Sequence, residues 1–191
     1  MTEQYESPFK TDERGEFNAN LNFLSDPTEG YVEGYKAASL HLIEAVAKGD
    51  LVKDMVIFPI LFTFRHYVEI LIKRLMHQLR IPLPENPKAL HNLETLWSTT
   101  KKVIEGRFDL RVVPHELELV DSMILDIQTV DSPSTNFRYS MKMNSTEVSL
   151  PSNFVNVNLK TLHRVIVQIG NILDSLSDDL DALEEHKNDN S

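Results

Sequence analysis

The chain has 191 residues, no cysteine and a formal net charge of −10. A chain of this length suits a single domain with one substantial core. Without cysteine it has no disulfide framework, thiolate metal site or cysteine nucleophile, which is the composition expected in the reducing cytoplasm. The first six residues are polar and acidic, so we expect no export signal.

The acidic residues are concentrated at the two ends of the chain. Residues 1–30 hold seven acidic and two basic side chains, and residues 171–191 hold seven acidic and one basic, so the middle of the chain is about neutral. Affinity for nucleic acid comes largely from Lys and Arg side chains next to phosphates. This distribution argues against a broad duplex-binding surface but is compatible with a local RNA or nucleotide site.

The N-terminal part predicts an arm followed by a helix. Residues 1–24 are polar and aperiodic, which is typical of a flexible arm. Asp26 and Pro27 have the residue types of a helix start, and Gly49 has that of a helix end. One face of this helix is expected to enter the core, since its apolar residues recur every three or four positions. They are Tyr35, Ala38, Leu42 and Val46.

The second predicted helix, over about residues 51–79, has a wholly apolar arc that must face a core. The arc holds Ile57, Ile60, Leu61, Phe64, Val68, Leu71, Ile72 and Leu75. Pro59 either kinks this helix or marks its start. The most apolar stretch, residues 55–64, is short and is followed at once by Arg65, so we expect no membrane insertion.

Two shorter helices are expected next. The proline-rich residues 81–87 form a connector, and a third helix follows over about residues 88–105, with Gly106 at its end. Pro114 opens a fourth helix. The expected inward positions of the two helices are Leu90, Leu93, Trp97 and Ile104, then Leu117, Val120, Ile124 and Ile127.

The C-terminal part predicts a long loop and a long helix. Residues 131–157 lack a helical period and are rich in Ser, Asn, Pro and Thr, as functional or mobile loops often are. The last helix, over about residues 158–185, has an apolar seam of seven-residue repeats, suited to bundle packing or to a partner helix. The expected fold is all-α, an up-down bundle of about five helices in one domain over residues 25–186, with a disordered tail at 187–191.

The second helix also carries a polar face. Arg65, Glu69 and Lys73 follow one another at four-residue steps, so the carboxylate lies between two cations, and His66 and His77 share the arc. One interpretation is an ion-pair ladder that adds little to stability. The other is a polar cleft in which Arg65 and Lys73 meet an anion and His66 handles a proton.

Four histidines on different predicted helices are each followed three residues later by a glutamate. The pairs are His41 and Glu44, His66 and Glu69, His91 and Glu94, and His115 and Glu118. In helical bundles, histidine and glutamate from facing helices can build a dinuclear metal site. Local pairing along each helix explains the same spacing more simply, so we expect neither a metal nor a cofactor.

Three short blocks of the sequence resemble a known family. They are RHYVE at residues 65–69 with Lys73, HNLETLW at 91–97, and DSPSTNFRY at 131–139. In this order and spacing the chain is similar, over roughly residues 35–185, to small bacterial proteins of the HEPN superfamily. The resemblance implies a helical bundle, usually dimeric, of toxin–antitoxin, abortive-infection or other anti-phage systems. Many such proteins are metal-independent RNases, and others bind nucleotides.

The chain departs from that family at the expected catalytic motif. Active HEPN proteins have an Arg followed, after four to six residues, by a His, whereas the nearest pair here, Arg111 and His115, has only three residues between. No catalytic pair can therefore be transferred. The candidate catalytic residues are instead Arg65, His66, Glu69 and His91, and the candidate ligand-binding residues are Lys73, Arg138 and Tyr139.

These candidates fit the chemistry of RNA cleavage. His66 or His91 is a possible general base for the 2′-hydroxyl, and a cation from Arg65, Lys73 or Arg138 would stabilise the charged phosphorane. Arg138 lies between two aromatic residues, so it equally fits a role in pinning the loop to the bundle by stacking and hydrogen bonding.

Two functions are expected from these observations. The first is a cytoplasmic, homodimeric protein of bacterial defence or stress response that binds RNA or a nucleotide, with metal-independent RNA cleavage as its activity. The second is a non-catalytic interaction module, such as an antitoxin or adaptor, that docks a cognate protein through the last-helix seam and the acidic ends.

Overall fold

The computed structural model describes residues 19–21, 26–107, 109–142, 144–154 and 156–189. Most of the N-terminal arm expected at 1–24 lies outside the described residues. The described residues form five α-helices: α1 (Pro27–Lys48), α2 (Lys53–Gln78), α3 (Leu93–Glu105), α4 (Pro114–Asp131) and α5 (Leu159–Asp189). They contain no β-strand, only an isolated bridge between Met141 and Val148. The expected all-α bundle is confirmed.

The ends of α1 form as the sequence predicts. The Asp26 carboxylate accepts a hydrogen bond from the backbone N–H of Thr28 at 2.8 Å, and Pro27 occupies the first turn. Gly49 ends the helix with φ of 84°, and its N–H donates to the carbonyls of Ala45 and Val46. A left-handed backbone of this kind favours glycine because it has no Cβ.

Two predicted helix starts differ from the observed ones. Helix α2 begins at Lys53 and continues through Pro59, so the alternative that Pro59 starts the helix is wrong. Helix α3 begins at Leu93 rather than near residue 88, because Ala89–His91 form a 3-10 turn and the Asn92 side chain then caps the helix. That side chain accepts from the N–H of Thr95 at 2.8 Å.

Helices α1 and α2 form an antiparallel pair, with a core face on α1 that the sequence pattern missed. The buried residues of α1 are Val32, Ser39 and Ile43. The four positions that were expected in the core are only half-buried: Tyr35, Ala38, Leu42 and Val46. The difference arises because the small Ser39 side chain faces α2 and its hydroxyl donates to the Thr63 hydroxyl at 2.9 Å. The predicted apolar stripe lies at the edge of this contact.

Helix α5 packs across α1 and α2. Asp174 pairs with Lys36 of α1, and Asp181 accepts from Arg74 of α2 at 3.2 Å. His163, closer to the start of α5, lies 4.0 Å from Glu44 of α1. These pairs show that α5 runs antiparallel to α1 and parallel to α2.

The predicted apolar seam of α5 belongs to the core. The buried positions are Ile166, Ile169, Leu173, Leu176 and Leu180. Because this face packs inside the bundle, it is not free to take a partner helix. The helix is described as far as Asp189, and residues 190–191 of the expected tail lie outside the described part of the chain.

Helices α3 and α4 close one side of the core. Their expected inward residues are buried, apart from Leu90, which precedes α3 and is half-buried. The indole N–H of Trp97 donates to the Asp121 carboxylate at 2.6 Å and so joins the two helices. In the loop after α4, Phe137 is buried and anchors the segment to the bundle.

Helix α2 is long and apolar enough to span a membrane by length and composition alone. Half of its most apolar window is buried within the bundle. A core helix of a helical bundle has the same composition because it is apolar on several faces.

Candidate functional site

Arg65 lies at the centre of a polar cluster inside the bundle. It is only 4% exposed. One guanidinium nitrogen, Nη1, donates to Glu69 Oε2 at 2.7 Å, and Nη2 donates to the backbone carbonyl of His91 at 2.7 Å. The third, Nε, lies 3.0 Å from Asp131 Oδ2 without the alignment of a hydrogen bond. Arg65 therefore ties α2 to the 3-10 turn and to the end of α4.

Glu69 is the acceptor that the cluster shares. It is 3% exposed, and its Oε1 accepts from Lys73 Nζ at 2.7 Å and from His91 Nδ1 at 2.8 Å. Burial by itself raises the pKa of this carboxyl group, but the hydrogen bonds from Lys73, Arg65 and His91 outweigh burial and lower the pKa to about 2. Glu69 is consequently ionised at neutral pH.

The ionised carboxylate decides the tautomer of His91. A carboxylate without a proton can only accept hydrogen bonds, so Nδ1 of His91 must carry the hydrogen that it shares with Glu69. In the neutral imidazole Nε2 then holds the lone pair. The His91 side chain is 56% exposed, whereas Arg65 and Glu69 beneath it are buried. The arrangement presents an oriented imidazole at the surface.

Lys73 lies beside His91 at the edge of the cluster. Its ammonium group and the imidazole of His91 contact the same oxygen of Glu69, so the two groups are close neighbours. The Lys73 side chain is partly exposed. A cation next to an imidazole at the surface is suited to an anionic group such as a phosphate.

Asp131 is a member of the cluster that sequence reasoning missed. It is buried, and it accepts from the backbone N–H of Asn136 at 2.7 Å. Burial raises the pKa of its carboxyl group, and the Asn136 hydrogen bond and the Arg65 charge offset only part of this. A signal was present, because Asp131 continues the spacing of Val120, Ile124 and Ile127 along the inward face of α4.

His66 does not join the polar cluster. Its ring packs edge-on against Tyr35, with 4.6 Å between ring centroids, and lies nearly parallel to Phe62 at 5.7 Å. Burial lowers the pKa of His66; the nearby Glu69 charge opposes the shift and the Arg65 charge adds to it. His66 is therefore neutral at neutral pH and belongs to an aromatic contact.

Arg138 and Tyr139 are both exposed on the loop after α4. The Arg138 guanidinium donates to the carbonyl of Ser134 through Nη2 at 2.6 Å and Nε at 3.1 Å, and it lies 5.8 Å from the centroid of the Tyr139 ring. These contacts lie within the loop itself and order it locally. The loop borders the cluster, because the backbone N–H of Asn136 in the loop donates to the Asp131 carboxylate.

Within the part of the chain that the structure describes, no three His, Asp or Glu side chains are grouped as metal ligands. Two clefts, of about 180 and 220 Å³, flank Val112 in the connection between α3 and α4, and none of the site candidates lines them.

Comparison of the chain with protein-family models, with curated proteins and with solved structures finds no match. The resemblance to HEPN proteins therefore remains a prediction, and the residues of the cluster carry the functional interpretation.

Proposed function

We propose that this protein binds RNA or a nucleotide with its phosphate at Lys73 and His91, and that His91 is the base for metal-independent RNA cleavage. The contact between His91 Nδ1 and Glu69 Oε1 carries the proposal. A carboxylate that fixes the tautomer of an exposed imidazole is the arrangement by which many enzymes prepare a histidine to accept a proton.

The cleavage step needs a base and a cation. His91 Nε2 accepts the proton of the 2′-hydroxyl as that oxygen attacks the adjacent phosphorus. The new 2′-oxygen–phosphorus bond forms, the bond to the 5′-oxygen breaks, and the leaving oxygen takes up a proton from the imidazolium or from water. Lys73 stabilises the negative charge that develops on the phosphorane oxygens. The products are a 2′,3′-cyclic phosphate and a 5′-hydroxyl.

The buried residues act through His91 and not on the ligand. Glu69 orients the imidazole and its negative charge stabilises the imidazolium, while Arg65 keeps Glu69 in place and holds the backbone of the turn. Both are positioning residues, because a buried group that is already paired cannot contact a phosphate at the surface. His66, held between Tyr35 and Phe62, has no part in this proton transfer.

The biological setting follows from the resemblance alone. We place the protein in bacterial defence or stress response, in the cytoplasm and as a homodimer, because HEPN proteins have these properties. The helical bundle is compatible with this placement.

A nuclease assay tests the proposal. Purified protein is incubated with single-stranded RNA in EDTA and, separately, with added divalent metal, and the products are examined for cyclic phosphate ends. We expect cleavage in both conditions and its loss in His91→Gln. The matched control is His115→Gln, since His115 is an exposed histidine on α4 remote from the cluster. Equal cleavage by His91→Gln and the unchanged protein would refute the role of His91.

Exposed apolar residues at the start of α2 offer a contact surface for the proposed homodimer. Met55 is 78% exposed, and Val52 and Phe58 are exposed beside it. Contiguous exposed apolar side chains are typical of contact surfaces. We propose a second copy of the chain as the partner. Sedimentation of the unchanged protein and of Met55→Asp tests this: a dimer that Met55→Asp separates supports it, and a monomer in both cases contradicts it.

A further inference from the structure

Four aromatic rings form a row along the surface between α1 and α2. Tyr31 and Tyr35 are nearly parallel with 6.4 Å between their centroids, and Tyr35 meets the edges of Phe62 at 6.5 Å and of His66 at 4.6 Å. Phe62 and His66 are themselves nearly parallel. We call these four residues the ring row. It joins one turn of α1 to one turn of α2.

The ring row lies at the surface and not in the core. Tyr31 is 57% exposed, and the other three rings are half-buried. The cause is the orientation of α1, because Ser39 takes the inward position and moves Tyr35 to the edge. Ring surface is thus left open to a planar ligand.

The ring row borders the charged site. His66, a member of the row, directly follows Arg65 on α2, and the charges of Arg65, Lys73 and Arg138 add to the effect of burial in lowering its pKa. Lys73 lies seven residues after His66 on α2, about 10 Å farther along the helix axis. A nucleotide that stacks on a ring at one end and contacts the ammonium group with its phosphate at the other can bridge such a separation.

We infer that the ring row is a stacking subsite for an unpaired nucleobase whose phosphate lies at Lys73 and His91. The inference rests on the proposed function. It assigns a binding surface to the base, which is the part of the ligand that the charged site does not contact. Aromatic side chains next to cations are the usual means of holding single-stranded nucleic acid, since every base has a flat face that stacks without regard to sequence. A duplex would keep its bases stacked on one another and out of reach of the rings.

The test compares ligands with and without bases. Binding of a fluorescent 2′-O-methyl oligonucleotide, which cannot be cleaved, is measured beside an abasic oligomer of the same length and charge. We expect the abasic oligomer to bind at least roughly tenfold more weakly. Tyr31→Ala should weaken binding of the base-containing oligomer and leave the abasic one unchanged, whereas Tyr31→Phe should bind both as the unchanged protein does.

Tyr31 suits this test because it is exposed and its loss leaves the core intact. Leu125→Ala removes an exposed apolar side chain on α4 and serves as the control, with no change expected. Equal binding of the two oligomers to the unchanged protein would overturn the stacking subsite but leave the phosphate site standing. Binding of neither oligomer would refute both. If Tyr31→Ala changes the mass of the protein in solution but not its binding of the oligomers, the stacking subsite is refuted. The ring row is then a contact surface between two copies of the chain.

Discussion

Nδ1 of His91 donates to Oε1 of Glu69 across 2.8 Å, and so joins the short turn before α3 to the middle of α2. The donor is mostly exposed and the acceptor is buried. An exposed imidazole is thereby oriented by a carboxylate whose charge is maintained by Arg65 and Lys73. Changes in the buried part of this cluster should consequently be visible at the surface.

Arg65→Ala should destabilise the fold by about 3–5 kcal/mol, because it removes the buried cation that lies between the buried carboxylates of Glu69 and Asp131. Urea unfolding followed by circular dichroism measures the change. Arg80→Ala is the control, since the Arg80 pair with Glu184 is exposed, and we expect about 0–1 kcal/mol. Similar stability of the two variants would show that Arg65 does not hold the bundle together.

The stability of the protein should fall with acid because of Glu69. Its pKa is about 2 in the folded chain and 4.5 ordinarily, so its contribution is complete above pH 4.5 and is lost as the pH falls toward 2. Linkage gives this contribution a size of about 3 kcal/mol. The raised pKa of Asp131 acts in the opposite sense, favouring the folded chain as that group takes up a proton.

Unfolding free energies measured between pH 2 and 6 test this dependence. In Glu69→Gln the curve should be flatter over that range and lower at neutral pH, because Arg65 and Lys73 lose the negative charge with which they pair. Glu118→Gln removes an exposed carboxyl group on α4 and should follow the unchanged protein. A Glu69→Gln curve parallel to that of the unchanged protein would mean that Glu69 is not the titrating group.

Lys73→Ala should weaken RNA binding and its salt dependence together. Removal of one phosphate contact lowers the slope of log affinity against log salt by about 0.7 for a single strand. Lys102→Ala removes an exposed cation on α3 and should leave the slope unchanged. Equal slopes for both variants would show that Lys73 does not contact a phosphate of the RNA.

Two glycines should respond oppositely to alanine. Gly34 is in α1 with open space where a Cβ would lie, so Gly34→Ala should stabilise the fold by about 0.5–1 kcal/mol. At Gly170 a Cβ would lie 3.0 Å from Lys36 Cε and from the Tyr67 hydroxyl, so Gly170→Ala should destabilise by about 1–3 kcal/mol. Thermal unfolding measures both, and the same sign for both would show that Lys36 and Tyr67 move aside for the added Cβ.

The local features of this fold could be predicted from the sequence. The start of α1 at Pro27 and its end at Gly49 depend on the side chain at each position and its immediate neighbours. The inward face of α4 followed equally from the spacing of its apolar residues. These features are set within one helix, where periodicity and capping are sufficient.

Features that depend on the approach of another element could not be predicted in the same way. The core face of α1 includes Ser39, which contacts Thr63 of α2. The spacing of apolar residues along α1 does not reveal this contact. The grouping of Arg65 with His91 was anticipated, but the burial of Arg65 depends also on Asp131 at the far end of α4. The role of Asp131 could have been predicted from its position, because it is a charged residue on the apolar core face of α4.

The most direct test of the account is NMR of the His91 ring nitrogens at neutral pH, with and without a 2′-O-methyl RNA oligomer. We predict that Nδ1 carries the proton in the free protein, and that addition of the oligomer shifts the Nε2 resonance while the His115 nitrogens stay unchanged. An Nδ1 without a proton in the free protein, or a His91 signal that the oligomer leaves unaltered, would contradict the account.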